Sequence, residues 1–431
     1  MKDKKTGKFF QSIDIIVETQ GWVRVKNFIG NRGSMNNTYR WRFFILLFLL
    51  VFIRCQAAPL ERDSEQYAKD LHKRALVADL HNDLISKMYE DGIDIGVRNP
   101  KTHLDLPKIK EGGLDLLFCA AWSSPSIEHY NQAKRVIDMI DLFLRTAEKY
   151  HEQVDIVLRA SDVNRIMSVG KTAALITIEG GHAIEDDLAL LRTFYRIGVR
   201  SMTLTWNNSN NWADSSPPDR SKIGTPYYRS IPNHNGLTEF GKSVIREMNR
   251  LGMIVDVSHT SPKTVQDVLE ITTKPIIASH SCAYALAPHY RNLNDDQLKA
   301  IAQNGGVIGV NFYPPFLDAD FDNRMQKEMT LFVKPGKKAT EAQKEEAARR
   351  VAPSIDRVIE HINYMVKIAG VDHIGLGSDF DGIEYAPKGL EDATKLPDIT
   401  RALIKNGYTD EDILKILGGN VLRVIEAVMG K

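Results

Sequence analysis

The feature that most constrains the fold of this sequence is a repeated alternation of short apolar runs with longer amphipathic stretches. The apolar runs have the length and continuity of strands buried on both faces, and the stretches between them have helical spacing. Strands that alternate with helices are typical of a parallel α/β fold, and one (β/α)8 TIM-like barrel with insertions explains the pattern most simply. The predicted strands are 76–80, 114–121, 173–178, 201–205, 253–257, 275–278, 307–311 and 373–377, and the predicted helices are 131–150, 187–197, 238–251, 261–272, 295–304 and 353–369.

Composition narrows the class of protein. Lys and Arg total 56 against 55 Asp and Glu, so there is no basic surface typical of nucleic-acid binding, and we expect no nucleic-acid partner. Three cysteines without a CxxC pair do not make a disulfide framework.

The amino-terminal region has the pattern of an export signal. Arg40 and Arg42 precede an apolar run at 43–53, which is too short to span a bilayer and ends near small residues. We therefore predict a non-native extension at 1–34, a signal peptide at 35–58 and a single domain at 59–431. Cys55 is an alternative lipid-anchor site, although Arg54 before it is a poor match to a lipobox. Either route places the mature protein in the periplasm, at the cell surface or outside the cell.

Two insertions interrupt the alternation, at 207–236 and 313–346. Both follow predicted strands, so we expect both to cover the carboxyl-terminal end of the barrel. Long loops at this end of a barrel are usually functional.

Polar residues able to bind metal stand at the ends of several predicted strands. His81 and Asp83 are two residues apart, so on an extended strand both would leave the same face. Because the carboxyl ends of barrel strands form one active-site face, we expect these side chains to converge. The set is His81, Asp83, Glu179, His259, His280, Asp379 and Asp381.

This set predicts a pair of divalent ions. His81 and Asp83 could bind one ion and His259 and His280 another, with Glu179 as a bridge, so that the pair activates a water. Each residue also has a structural interpretation. A strand-end histidine is more often hydrogen-bonded in the core, Glu179 could belong to a tight glycine turn, and Asp379 could cap a helix. The joint occurrence at several strand ends favours the metal site.

Several segments resemble the membrane (renal) dipeptidases, a family of zinc metallopeptidases. The similarity covers nearly the whole chain after residue 70. It lies in the segments DLHNDL, IEGGH, MTLTWNNSNNWADSS, GLTEFGKSVIREMNRLGMIVDVSHTS, IIASHSCAYALAPHYRNLNDDQL, VNFYPP and LGSDFDGI. The resemblance implies a (β/α)8 barrel with two zinc ions per chain, and hydrolysis of dipeptides whose free carboxylate is recognised, including some with a D-configured carboxyl-terminal residue. It also suggests a homodimer.

The resemblance implies a role for each matching residue. His81 and Asp83 look like ligands of one zinc, His259 and His280 like ligands of the other, and Glu179 like the bridge. Arg291 corresponds to the arginine that binds the substrate carboxylate. Asp379 resembles the acid/base that takes a proton from the metal-bound water and passes it to the leaving amine, and Tyr313 resembles a residue that lines the substrate pocket.

One residue departs from the family pattern. The segment TLTW ends in Trp206, where renal enzymes have a histidine that contacts the substrate carbonyl. Indole donates one hydrogen bond but takes up no proton, so oxyanion stabilisation would depend on the metals or on Asn207, Asn208 or Asn211. The structural alternative is that Trp206 packs in the pocket wall.

Two other functions compete with a dipeptidase. A metal-dependent amidohydrolase acting on lactams, N-acyl amino acids or lactones would share the metals and differ in the pocket. A non-catalytic metal-binding surface protein is the third reading, and the complete ligand set argues against it.

Overall fold

The computed structural model describes residues 16–17, 23–24, 62, 64–125, 131–216, 234–333 and 337–430. The chain divides into two units, 1–60 and 61–431. In the first unit the described residues are Ile16–Val17 and Val23–Arg24, which pair antiparallel. The predicted signal peptide, its cleavage site near Ala58 and the lipidation of Cys55 lie outside the described residues and stay predictions, which amino-terminal sequencing of the native protein would check.

The second unit is a nearly closed barrel of eight parallel strands, as the alternating pattern predicts. Each predicted strand coincides, to within about two residues at most ends, with an observed one. Where the first and last strands meet, the Asp83 amide donates to the Phe380 carbonyl (2.9 Å) and the Asp379 amide to the His81 carbonyl (3.0 Å). The barrel strands are Ala78–Asn82, Leu116–Trp122, Thr172–Glu179, Val199–Thr203, Ile254–Asp256, Ile277–Ala278, Val307–Val310 and Ile374–Leu376.

Helices connect the strands on the outside of the barrel. The six predicted helices are all present, and others are interspersed with them. The helices are Glu65–Arg74, Leu84–Asp91, Leu106–Glu111, Gln132–Lys149, Ala160–Met167, Leu188–Arg196, Glu239–Leu251, Pro262–Ile271, Asp295–Gln303, Pro314–Leu317, Phe321–Phe332, Glu341–Val351, Ile355–Ala369, Leu396–Lys405, Asp410–Leu414 and Asn420–Met429. Within the part of the chain that the structure describes, none of these helices is both long and apolar enough to cross a membrane.

Alternate residues of a strand supply two separate apolar layers, as the two-residue period of a strand requires. In the second strand, Leu116 and Phe118 belong to a small cluster with Leu175 and Ile254, whereas Leu117 and Cys119 belong to the larger cluster beneath the helices. The small cluster also contains Val421, Val424 and Ile425 of the last helix. Apolar packing therefore occupies the barrel below the polar strand ends.

The starts of both insertions reach the carboxyl-terminal end of the barrel. A cavity lies at this end of the barrel. It is lined by Asn207 of the first insertion, by Trp206 directly before it, and by Tyr313, Pro315 and Phe316 of the second insertion. The second insertion begins with the short helix Pro314–Leu317 and continues with the helix Phe321–Phe332.

Candidate active site

The cavity at the carboxyl ends of the strands is open and has a volume of about 550 Å³, a size typical of small-molecule sites. Six of the seven strand-end residues line it directly: Asp83, Glu179, His259, His280, Asp379 and Asp381. His81 lies beneath them, 1% exposed. The structure thus brings together all the residues that the sequence singles out as candidate metal ligands.

Three imidazoles surround the carboxylate of Glu179. Its Oε1 atom lies 3.0 Å from Nε2 of His259 and 3.6 Å from Nε2 of both His81 and His280. The Nε2 atoms of His259 and His280 are 2.8 Å apart. Glu179 is the last residue of its strand, so the strand end places this carboxylate at the centre of the cluster.

His81 and Asp83 approach each other by a different route from the predicted one. Asp83 lies after the strand, as the residue preceding the helix Leu84–Asp91, and the register of the first strand shifts between Asp79 and Asn82. The prediction of two side chains on one face of a regular strand is therefore wrong in its geometry. Nevertheless, Oδ2 of Asp83 is 3.6 Å from Nε2 of His81, because the turn into the helix brings the carboxylate back.

The donor atoms fit a metal site. In two groups, His81–Glu179–His280 and His81–Asp83–Asp379, the ligand atoms lie within 4.8 Å of one another. Both ring nitrogens of His81 are buried without a hydrogen-bond partner among the described residues. A buried polar atom without a partner is costly, and a cation held by imidazole and carboxylate would satisfy it.

Electrostatics support the same interpretation. Burial, together with the positive charges of Arg291 and His81, holds the pKa of His259 and His280 well below the ordinary value, so both rings are neutral, as metal binding requires. Burial raises the pKa of Glu179 to about 8. The positive charges of His81 and Arg291 offset this burial only in part, and a bound cation would further favour the ionised carboxylate.

His81 behaves differently because carboxylates surround it. Burial alone would lower its pKa, but the charges of Glu179, Asp83 and Asp379 outweigh burial and raise the pKa to about 10. The surrounding carboxylates thus favour the protonated form of His81, and a metal ion that binds its Nε2 would have to displace a proton.

Asp379 stands beside the cluster in an uncommon backbone conformation. Its φ is 61°, and those of Asp381 and His259 are 66° and 67°. Such left-handed conformations of non-glycine residues cost energy and concentrate at functional sites. Asn311 donates from Nδ2 to Oδ2 of Asp379 (2.9 Å), and burial raises the pKa of the carboxyl.

Asp381 has a structural role instead. Its carboxylate accepts from the amides of His103 (2.7 Å) and Leu104 (3.2 Å), and its own amide donates to Nδ1 of His103 (2.9 Å). These bonds join the turn after the last strand to the segment around His103. Gly382 lies against the carboxylates of Asp83 and Asp379, because a Cβ at this position would lie 2.1 Å from Oδ2 of Asp83 and 2.8 Å from Oδ1 of Asp379.

Arg291 brings a positive charge to the cavity wall. It is 3% exposed, and burial lowers its pKa to about 10 even though Asp379 and Glu179 act in the opposite direction. Its guanidinium lies over the ring of Phe316, 5.3 Å from the centroid. Nε has no hydrogen-bond partner among the described residues, and Nη2 reaches the His280 carbonyl only at 3.5 Å. The guanidinium therefore keeps most of its donors for another group.

Aromatic side chains complete the wall. The ring centroid of Trp206 lies 5.0 Å from that of Trp122 and 6.3 Å from that of His259. Tyr313 packs edge-on against Phe316, and both line the cavity. Burial raises the pKa of the Tyr313 hydroxyl, so this group stays protonated.

Three asparagines near Trp206 are candidate donors to the oxyanion. Asn207 reaches the cavity, and its Oδ1 is 2.9 Å from Nδ1 of His259. Asn208 bonds to the Ser209 carbonyl, and Asn211 donates to Asp186. Sequence reasoning missed Asn311, Ser279 and Asp256, which hold the site from behind. Each lies next to a strand end, but no spacing separates such a residue from ordinary strand residues.

Comparison with known proteins identifies the family. The family model of membrane dipeptidases (peptidase family M19) matches residues 65–430. Dipeptidase tcpJ of Claviceps purpurea is 34% identical over 364 residues, which are 81% of this chain and 76% of that protein.

Solved structures agree. The probable dipeptidase PvdM from Pseudomonas aeruginosa has a TM-score of 0.72 and 27% identity, covering 85% of this chain and 98% of that one. A metallopeptidase from Rhodobacter sphaeroides, bound to a phosphinate mimic of the dipeptide L-Ala-D-Ala, has a TM-score of 0.68 and 26% identity, covering 82% and 99%. The chain therefore belongs to the membrane dipeptidase family, and it is a metallodipeptidase with a (β/α)8 barrel fold.

Proposed function

We propose that this chain is a zinc-dependent dipeptidase that binds two zinc ions. His81 and Asp83 would hold one ion, His259 and His280 the other, and Glu179 would be shared. The observation that carries the proposal is the convergence of three Nε2 atoms on one oxygen of Glu179. One of the three imidazoles, His81, has no hydrogen-bond partner for either ring nitrogen among the described residues. Two such ions would supply a nucleophilic water near neutral pH and polarise the peptide carbonyl.

The substrate would be oriented by its charged ends. A guanidinium with free donors in a buried wall suits the terminal carboxylate of a dipeptide, which it can bind through two parallel hydrogen bonds. Glu90, Asp322 and Glu384 also line the cavity and suit the substrate ammonium. A zwitterion of two residues matches both the charges and the size of this cavity.

Asp379 would move the proton. Its carboxylate lies within 4.8 Å of the ligand atoms of His81 and Asp83, close enough to take a proton from the attacking water and return it to the leaving amine. The bond from Asn311 holds one oxygen and leaves the other for this transfer. Trp206 carries no titratable proton, so the oxyanion would rely on the ions and on neighbouring donors such as Asn207.

The proposal predicts chelator-sensitive hydrolysis. A strong chelator is expected to abolish cleavage of L-L and L-D dipeptides, and zinc is expected to restore it, because the proposed nucleophilic water depends on the bound ions. L-Ala-D-Ala belongs in the substrate panel because the Rhodobacter relative binds its mimic. Elemental analysis should find two zinc ions per chain. Full activity in chelator, or a purified chain without stoichiometric metal, would refute the proposal.

Replacing Arg291 by alanine tests carboxylate recognition. Two charged hydrogen bonds contribute about 3 kcal/mol, so kcat/KM for a dipeptide should fall about 100-fold. A dipeptide amide lacks the free carboxylate, and its slow hydrolysis should change little in the variant. Equal losses on both substrates would indicate damage to the fold, and no loss on the dipeptide would favour an amidohydrolase that acts on uncharged substrates.

A further inference from the structure

A chain of hydrogen bonds lies behind His280, on the side of the ring away from Glu179. Oγ of Ser279 is 2.8 Å from Nδ1 of His280 and 2.5 Å from Oδ2 of Asp256. Asp256 and Ser279 are both 1% exposed. These hydrogen bonds, from Asp256 through Ser279 to His280, are called the relay below. The relay connects a buried carboxylate to a candidate metal ligand through a single hydroxyl.

The direction of these hydrogen bonds follows from the donors around Asp256. Its Oδ1 accepts from the amides of Ser258 (2.9 Å) and Ser279 (3.0 Å), and its Oδ2 accepts from the hydroxyls of Thr203 (2.7 Å) and Ser279. Four donors fill the four lone-pair positions of an ionised carboxylate, which itself can only accept. The Ser279 proton therefore points to Asp256.

The hydroxyl of Ser279 has one proton, so its oxygen must accept at His280. Nδ1 of His280 then carries the hydrogen, and Nε2 keeps its lone pair. Among the described residues, the hydroxyl has one further hydrogen-bond neighbour, Oγ of Ser258 at 3.4 Å. This contact is longer, and the Ser258 oxygen already accepts from the His280 amide (3.0 Å). The relay thus selects one tautomer of His280.

That tautomer is the one a metal site needs. Nε2 of His280 faces Oε1 of Glu179 and Nε2 of His259, where the ions are proposed. His259 is oriented in the same sense by the oxygen of Asn207. A partner on the far nitrogen of a metal-binding histidine fixes the ring and its tautomer.

We propose that Asp256 is a positioning residue that acts through Ser279 to lock His280 in the Nδ1–H tautomer and thereby sets the affinity of the site for metal. This inference rests on the proposed metal site. It assigns a role to two residues that touch neither metal nor substrate.

Replacing Asp256 by asparagine should reverse the relay. The two backbone donors hold the amide oxygen at the Oδ1 position, so the NH₂ group faces the hydroxyls of Thr203 and Ser279 and donates to them. Ser279 would then donate to Nδ1 of His280, which places the hydrogen on Nε2, the atom that must bind metal. The asparagine side chain, which has the shape of aspartate without its charge, would therefore hinder metal binding by imposing the Nε2–H tautomer on His280.

The experiment measures zinc affinity by competition with a chromophoric chelator in the full chain. Ser279→Ala removes the relay, and the affinity should fall about 10-fold. Asp256→Asn reverses it, and the affinity should fall about 100-fold. The double variant should bind zinc about 10-fold more tightly than Asp256→Asn alone, because alanine cannot transmit the reversal. A purely structural role of Asp256 would make the double variant worse.

Thr203→Val is the matched control, because it removes the other hydroxyl on the same oxygen of Asp256 and leaves Ser279 in place. It should lower the melting temperature but keep zinc affinity within about threefold of the native value. If Asp256→Asn does not fold, Ser279→Ala against Thr203→Val carries the test. Equal affinities in these two variants would overturn the proposal.

A second measurement separates this inference from the proposed function. In metal-free protein with ¹⁵N-labelled histidine, the ring shifts of His280, identified by their loss in His280→Gln, should show a protonated Nδ1 in the native chain and a protonated Nε2 in Asp256→Asn. A protonated Nε2 in the native chain refutes the relay, even if zinc binds. A native chain that binds no zinc but has the expected tautomer refutes the metal site instead.

Discussion

Replacing Glu179 by glutamine is expected to reduce kcat/KM for dipeptides by at least about 1,000-fold. The proposed bridge carries the one negative charge that all three imidazoles face, and two cations would share it. A unit charge 4 Å from a cation contributes about 4 kcal/mol at an effective dielectric constant of 20, which corresponds to about three powers of ten. Steady-state kinetics and elemental analysis of the same preparation check the result, and metal content should fall with activity.

Glu185→Gln provides the control for this variant. Glu185 lies six residues further along the same strand-end segment, where Oε1 accepts from the Ala133 amide (3.0 Å), and an amide oxygen can take over that bond. Its activity and metal content should match those of the native chain. A Glu179→Gln chain that retains two ions and native activity would remove the bridge from the proposal.

The barrel could be predicted from sequence because its strands are buried on both faces. Continuous apolar runs such as Ile276 to Ala278 are then required, and their alternation with amphipathic helices leaves few topologies. The converging site residues followed from the same argument, since the carboxyl ends of parallel strands share one face. The structure confirms this prediction of the fold, whereas the roles of the individual residues stay predictions.

One strand, two helices and a register shift had little or no signal in the sequence. The strand Val154–Ile156 was missed because it is short, contains a charged residue and pairs only with the first part of Thr172–Glu179. The helices Phe321–Phe332 and Glu341–Val351 have few buried residues, so their apolar periodicity is weak. The first strand shifts register between Asp79 and Asn82, and Asp79 is held there by hydrogen bonds from Ser378, which is distant in sequence.

Buried carboxylates other than the candidate metal ligands hold the strand ends where His259 and Asp379 have a left-handed backbone. Asp79 accepts from the amide (2.7 Å) and hydroxyl (2.8 Å) of Ser378, and Asp381 accepts from two amides of the segment around His103. Asp256 ties three strands together at Thr203, Ser258 and Ser279. Each carboxylate thus holds a strand end or the turn after it through several hydrogen bonds. A surrounding structure fixed by several bonds is what the left-handed backbone of His259 and Asp379 requires.

Replacing Asp379 by asparagine is expected to lower kcat by about 1,000-fold with little change in KM. General acid–base catalysis contributes typically 100- to 10,000-fold, and an amide neither takes nor returns a proton. The fold should be preserved, because the asparagine oxygen can still accept from Asn311 at the position of Oδ2. Metal content should remain close to native, which distinguishes this variant from Glu179→Gln. Rapid kinetics with a chromogenic dipeptide would measure kcat and KM separately.

The pH dependence of activity and the control variant Asp381→Asn test whether Asp379 itself moves the proton. The proposed base must be ionised to act, so activity falls as pH drops through its pKa, which burial raises above the ordinary value; this acidic limb should disappear in Asp379→Asn. Asp381→Asn removes a charge two residues away but leaves proton transfer intact, so it should lower the melting temperature through the bonds to His103 and Leu104 while kcat stays within about 10-fold. If both variants lose kcat equally, or the acidic limb persists in Asp379→Asn, another group moves the proton.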